Sequence, residues 1–264
     1  MTRARKRFGQ HWLKSDRILD QITAAAALDE QDRVLEIGPG TGLLTRRLIG
    51  AAASVVAVEV DRDLCRALRK QFAPVPNFSL IEHDILTLDD AAIAAPFGHP
   101  TKVVANIPYY ITGPILERLL GTIAQPSPAY ASLVLLVQKE VAERICATPG
   151  TRAFGGLSVR LQYLARCELV CPVPAKAFSP PPKVESAVIR LVPRPFPLPA
   201  KDPVHLGQLI KRGFAAKRKM LRNNLKGTVD GDLAAAMAAA EVSPQARAEA
   251  LSVTQWVRLS NDLT

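Results

Sequence analysis

Short runs of apolar, often β-branched residues alternate along this chain with stretches in which apolar positions recur every three or four residues. The first pattern fits buried strands and the second amphipathic helices. Arg33–Ile37 (RVLEI) runs into Gly38-Pro39-Gly40-Thr41-Gly42 and then a helical pattern from Leu43, which predicts a strand, a tight loop and a helix. Residues 54–60 (SVVAVEV) predict a second strand, followed by a helix over 61–72 with Asp61 as its N-cap. Further strands are predicted over 78–82, 102–105 and 130–137, with helices over 113–123 and 139–148 flanking the last of them. This alternation predicts a mainly parallel sheet covered on both faces. Runs at 167–171 and 186–192, separated by a proline-rich loop, predict an antiparallel end to that sheet.

The pattern changes after Val192. Five prolines fall between Pro193 and Pro203, a stiff spacer. Beyond them the spacing predicts helices over 204–214, 217–225, 232–240, 244–250 and, capped by Ser252, 253–263. The expected organisation is a basic arm over 1–17, an α/β domain over 18–193 and a small all-helical domain over 204–264.

With 264 residues, 48% apolar and 22% charged, the chain has the composition of a folded protein and not of a disordered one. No stretch approaches the ~20 apolar residues of a membrane span. The basic opening residues lead into no apolar segment, so the expected location is the cytoplasm. Cys167 and Cys171, four apart on a predicted strand, would lie about 13 Å from one another, too far for a disulfide. Buried thiols are expected.

The net charge of +10 is unevenly spread: residues 1–17 hold six basic side chains and one acid, and residues 176–226 hold twelve and two. Concentration at an arm and a C-terminal stretch implies a polyanionic partner, against the alternative of a basic face that only aids solubility. A membrane surface fits less well, because the basic stretch has no aromatic-rich apolar face.

The glycine-rich turn after the first strand lets a ligand approach the backbone. Glu59 ends the second strand, where a carboxylate can accept from ribose hydroxyls, and Asp84 follows the third, placed to accept from an adenine amino group. Both a nicotinamide dinucleotide and S-adenosylmethionine fit such a set. Spacing favours the second: the dinucleotide fingerprint needs glycine at position 43, which is Leu43. Glu36, unless it caps a turn, sets a carboxylate where an ammonium would be met and a pyrophosphate repelled.

The fourth strand runs into Asn106-Ile107-Pro108-Tyr109-Tyr110, at a strand's carboxyl end. An adenine amino group is a weak nucleophile, and a catalyst must accept hydrogen bonds from it and hold it in line with a methyl donor. Asn106 offers a side-chain carbonyl, Pro108 favours an extended Ile107 whose carbonyl can turn toward the second N–H, and Tyr109 can stack on the base. The alternative is a tight turn, for which Asn and Pro are ordinary residues. No metal is required, and the four histidines, His11, His83, His99 and His205, show no ligand spacing.

Arg7-Phe8-Gly9-Gln10, EIGPGTG over 36–42, the Asn-Ile-Pro-Tyr tetrad, Gln138-Lys139-Glu140 and Phe178-Ser179-Pro180-Pro181-Pro182-Lys183-Val184 occur in that order. Together they resemble the ribosomal RNA adenine N6,N6-dimethyltransferase family over nearly the whole chain. The resemblance implies a class I S-adenosylmethionine-dependent methyltransferase (Rossmann-like) sheet with a small C-terminal all-helical domain. It further implies four methyl transfers to two adjacent adenosines in the 3′-terminal hairpin loop of 16S rRNA, within an immature small ribosomal subunit. Carried onto this chain, the cofactor site comprises His11, Leu13, Gly38, Glu59, Asp84 and Asn106, to which the loop adds Glu36 and Gly40. His11 departs from the asparagine of some members. Phe178 is the expected second aromatic, clamping a flipped adenine opposite Tyr109. Lys211, Arg212, Lys217, Arg218, Lys219 and Arg222 form the expected RNA surface. A monomer is expected. The alternatives are the antibiotic-resistance branch, which modifies one adenosine of 23S rRNA, and a non-catalytic RNA-binding assembly factor.

Overall fold

The structure, a computed structural model, describes residues 10–227 and 231–264. Most of the basic arm, including Arg7, Phe8 and Gly9 of the first motif, lies outside the described residues. The chain then forms β1 (Trp12–Leu13), α1 (Asp16–Ala26), β2 (Arg33–Ile37), α2 (Leu43–Ala51), β3 (Ser54–Glu59) and α3 (Arg62–Phe72). Asp61 caps α3, its side chain accepting from the Asp63 N–H at 3.0 Å. β4 (Phe78–Glu82), α4 (Asp90–Ala94), β5 (Lys102–Asn106), α5 (Thr112–Leu120), β6 (Ser132–Gln138), α6 (Lys139–Ile145), α7 (Gly156–Leu164), β7 (Ala165–Val173), β8 (Phe178–Ser179) and β9 (Ser186–Pro193) follow.

Among the described residues the main sheet has seven strands in the order β4-β3-β2-β5-β6-β9-β7. β4, β3, β2, β5 and β6 run parallel to their neighbours, and β9 is antiparallel to β6. All six residues of β3 are buried, as a parallel strand covered on both faces requires. The order reverses between β2 and β5, the switch point at which open α/β sheets bind ligands beyond the carboxyl ends of their strands. A separate two-stranded ladder pairs β1 with β8, setting Leu13 opposite Phe178. The four cysteines are free thiols, Cys65 and Cys171 buried, Cys146 and Cys167 half-buried.

The chain divides into two compact units. Leu120–Ser127, Glu143–Cys167 and Pro193–Thr264 form the second, and the remaining segments the first. The expected boundary at 193–203 therefore marks only the last of the crossings. Ile123, Phe154 and Val159, far upstream, bury their side chains in the same core as Leu209 and Trp256.

That core gathers α7 with α8 (Pro203–Gly213), α9 (Leu221–Leu225), α10 (Leu233–Ala239) and α11 (Val253–Asp262). Ser252 caps α11 reciprocally: its hydroxyl accepts from the Gln255 N–H, and Gln255 Oε1 accepts from the Ser252 N–H. Two expected helices differ. The run over 217–225 is helical only at α9, because Leu221 N–H donates to Ala246 O at 2.8 Å and Asn224 Nδ2 donates to Gly213 O and Ala216 O. Those bonds turn the chain so that Leu221 enters the core fully buried, leaving Lys217, Arg218 and Lys219 in a turn. The segment over 244–250 holds a 3-10 turn at Ala248–Ala250 in place of an α-helix.

Candidate active site

A cavity of about 230 Å³ opens at the switch point. The loop after β2, the ends of β3 and β5, and the segment after β4 converge on it. Gly38 and Gly40 adopt φ of +68° and +59°, a backbone region that side chains disfavour. A Cβ on Gly40 would in addition stand 3.2 Å from Trp12 Cδ1. The loop N–H groups thus reach inward: Gly40 donates to Glu59 Oε2 at 3.3 Å.

Glu59, at the end of β3, also accepts on Oε1 from the Val60 and Asp61 N–H groups, both at 3.0 Å. Burial raises its pKa, while those three backbone donors pull it back toward the charged form. The carboxyl is thereby held rigidly at the cavity wall with acceptor capacity to spare. Asp84 lines the same cavity after β4. Its Oδ1 accepts from Leu86 N–H, and among the described residues Oδ2 has no hydrogen-bond partner. Ile85 and Leu86 beside it supply apolar wall.

A recess of about 40 Å³ shares Trp12, Gly38, Gly40 and Asn106 with the cavity and reaches Glu36 and Leu13. Glu36 is 1% exposed, and its Oε2 accepts no hydrogen bond. Burial, with the nearby Glu59 charge adding to it, pushes the pKa up to about 8. The Thr45 hydroxyl beside the carboxyl opposes this more than the Glu59 charge adds to it, though without normal hydrogen-bond geometry. An unpartnered buried carboxyl is expensive in either state unless something occupies its second oxygen, and a cationic group is the partner that suits it. The donor set therefore fits a ligand carrying an ammonium and an adenosine. Leu13 borders only the recess, its side chain otherwise in the core.

Asn106 ends β5, and its Nδ2 donates to the His11 carbonyl at 3.2 Å. Since that acceptor fixes which side-chain atom is nitrogen, Oδ1 is the atom left to accept from a substrate. The His11 side chain is committed elsewhere, with Nδ1 2.8 Å from Pro180 O. His11 therefore serves Asn106 through its backbone. Pro108 takes an extended conformation (φ −61°, ψ 131°) that starts the short turn Tyr109–Ile111. The Tyr109 ring lies nearly parallel to that of His11, with centroids 6.2 Å apart.

Phe178 is not among the residues that line the cavity. It is 1% exposed and packs among Leu13, Ile18 and Val188. Pairing of β8 with β1 sets the Phe178 ring in the buried cluster against which Tyr109 also packs. Gln10, Trp12, His83 and the exposed Tyr110 line the cavity without having been singled out; Gln10 is tied to Asp61 Oδ2 at 2.9 Å. Gln10 lay inside the first motif, and Tyr110 directly follows the Asn-Ile-Pro-Tyr tetrad.

All six expected RNA-contacting side chains, Lys211, Arg212, Lys217, Arg218, Lys219 and Arg222, are exposed on the second unit. Among the described residues no three His, Cys, Asp or Glu side chains cluster as metal ligands would, and no helix is long and apolar enough to cross a membrane.

The family model described as ribosomal RNA adenine dimethylase matches residues 1–264. A ribosomal RNA small subunit methyltransferase A from Synechococcus elongatus is 61% identical over 98% of this chain and 95% of its own length. One of the same name from Acaryochloris marina is 59% identical over 100% and 98%. Among solved structures, a dimethyladenosine transferase from Plasmodium falciparum superposes with a TM-score of 0.79 at 26% identity, over 94% of this chain and 96% of that one. The 23S rRNA methyltransferase ErmE gives 0.77 at 28%, over 96% and 99%.

Proposed function

The chain belongs to the ribosomal RNA adenine dimethylase family, and from that premise we propose that it dimethylates N6 of two adjacent adenosines in the 3′-terminal hairpin loop of 16S rRNA, using S-adenosylmethionine. The observation that carries the reading is the meeting, at one switch-point cavity, of an adenosine-suited carboxylate pair with Asn106, Pro108 and Tyr109. S-adenosylmethionine, when bound, supplies a methyl group on a cationic sulfur that departs as a neutral thioether.

Within this reading Glu36 answers the ammonium, Glu59 accepts from the ribose hydroxyls and Asp84 accepts from the adenine amino group. Gly38 and Gly40 keep side chains out of their way. Asn106 Oδ1 accepts from one hydrogen of the target amino group, turning its lone pair toward the reacting carbon. Being an amide, Asn106 orients that hydrogen and does not remove it; the methylated nitrogen, positively charged once the carbon–sulfur bond has broken, gives up its extra proton to water. Catalysis then rests on alignment and on electrostatics, with the leaving group good enough that no metal is needed. Tyr109 steadies the base by stacking. The adenosine must leave its helix to reach the cavity, while Lys211, Arg212, Lys217, Arg218, Lys219 and Arg222 grip phosphates of an immature small subunit. The enzyme works as a cytoplasmic monomer.

The likeness to ErmE supports a second reading, modification of a single 23S rRNA adenosine. The curated relatives of far higher identity favour the first. Incubation with labelled cofactor and each immature ribosomal subunit, followed by mapping of the modified nucleotide, separates them. Label in the 3′-terminal loop of 16S rRNA is the expected result; label in 23S rRNA overturns it, and RNA binding without label leaves a non-catalytic assembly role.

A further inference from the structure

We propose that Ser186 is a positioning residue for methyl transfer, holding the Tyr109 ring in the orientation that meets the target base through a bond between the two hydroxyls. This rests on the reading of Tyr109 given above. Tyr109 sits on a three-residue turn, which by itself does little to fix a ring. Its hydroxyl lies 2.5 Å from Ser186 Oγ, so the ring is anchored at its far end as well as at its backbone. Ser186 is 0% exposed and opens a strand that continues Ala187, Val188, Ile189. A hydroxyl buried in such company is costly unless it is bonded, and Tyr109 is the partner it has.

The placement of Ser186 is itself secured. It pairs with Gln138, the last residue of β6. Immediately beyond, Lys139 N–H donates to Glu185 O at 3.0 Å and Lys139 Nζ meets Glu185 Oε2 at 2.7 Å. A slip of one residue between β6 and β9 would turn the Ser186 hydroxyl to the opposite face of the sheet. The double attachment of Lys139 to Glu185 opposes that slip. Gln138-Lys139-Glu140, a motif with no place in the cofactor cavity, thereby acquires a connection to Tyr109.

The test is steady-state methyl transfer to immature small subunits by Ser186→Ala, Tyr109→Phe and the double variant, with cofactor affinity measured by calorimetry. Each single change should lower kcat roughly 3- to 10-fold, the scale of one buried hydrogen bond, with KM for RNA and cofactor affinity little changed. The double variant should be no worse than either single one. Ser186→Thr, which keeps the hydroxyl, should recover most of the loss. Equal losses from Ser186→Ala in the presence and absence of the Tyr109 hydroxyl, or an undiminished kcat, overturn the proposal. Should Ser186→Ala fail to fold, Tyr109→Phe decides alone: an unchanged kcat overturns it and a selective fall in kcat supports it. Wild-type protein that transfers no methyl to small-subunit RNA would instead sink the functional reading.

Discussion

Replacing Glu36 with glutamine should flatten the pH dependence of stability of the ligand-free protein between pH 4.5 and about 8. The Glu36 carboxyl is fully buried, and its pKa rises from 4.5 to about 8 chiefly through that burial. The folded chain therefore holds a proton that the unfolded chain releases above pH 4.5. Stability from this group is fully present below that pH, declines by about 1.4 kcal/mol per unit as pH rises, and is lost once pH passes the folded value. Over the whole interval the loss amounts to about 5 kcal/mol, comparable with the net stability of an ordinary domain. Glutamine has nearly the same shape and carries no charge at any of these pH values, so the variant removes the slope and leaves the other titrating groups in place. Urea unfolding of both proteins at a series of pH values across this interval measures the difference. The two stability curves should lie close at the acid end and separate toward pH 8, with the wild type falling away. S-adenosylmethionine should then restore the wild type more than the variant, because its ammonium suits the ionised carboxyl. Parallel curves would refute the account of Glu36 as a buried, unanswered acid.

Asn106→Ala should bind RNA normally yet lose methyl transfer about 100-fold or more, the scale for removing one preorganised hydrogen-bonding group at a reacting centre; wild-type turnover would remove the assigned role. Charge reversal of Lys217, Arg218 and Lys219 should weaken RNA binding and make its salt dependence shallower by up to about 3 in log–log slope, with cofactor affinity unaltered; filter binding across a salt series reads this, and an unchanged slope removes those residues from the interface. Gly213→Ala would force a Cβ into the Trp256 ring, so denaturant unfolding should show a loss of about 1–3 kcal/mol.

Much of the parallel sheet is legible in the chain because its strands are nearly uniform apolar runs and its turns carry glycine and capping residues. Asp61 and Ser252 stand at helix starts for local reasons, and local pattern finds them. The glycine loop, Glu59 and Asn106 are readable for a related reason: each lies at the end of such a run, where the sheet must put it. What escaped depends on partners distant in sequence. Phe178 looks like a free aromatic in a proline loop until β8 is paired with β1, more than 160 residues earlier. Lys217 to Lys219 have helical spacing, but the bond from Leu221 to Ala246 takes the chain out of the helix. α7 begins at Gly155-Gly156, residues that argue against a helix until Ser158 is seen donating to Arg144 O while it accepts from Gly155 N–H. Trp12 and His83 adjoin residues assigned to the cofactor, His11, Leu13 and Asp84, but their own side chains follow no pattern that marks them as cavity wall.

The return of the chain to its second core at Leu120–Ser127 and Glu143–Cys167 before Pro193–Thr264 limits how this protein can be cut or recombined. Severing it at the proline-rich stretch would strip Phe154 and Val159 of their neighbours and leave an N-terminal fragment with a sticky apolar scar. A chimera that borrows RNA preference from a relative must transplant three stretches together, because the helical module is not a detachable tail.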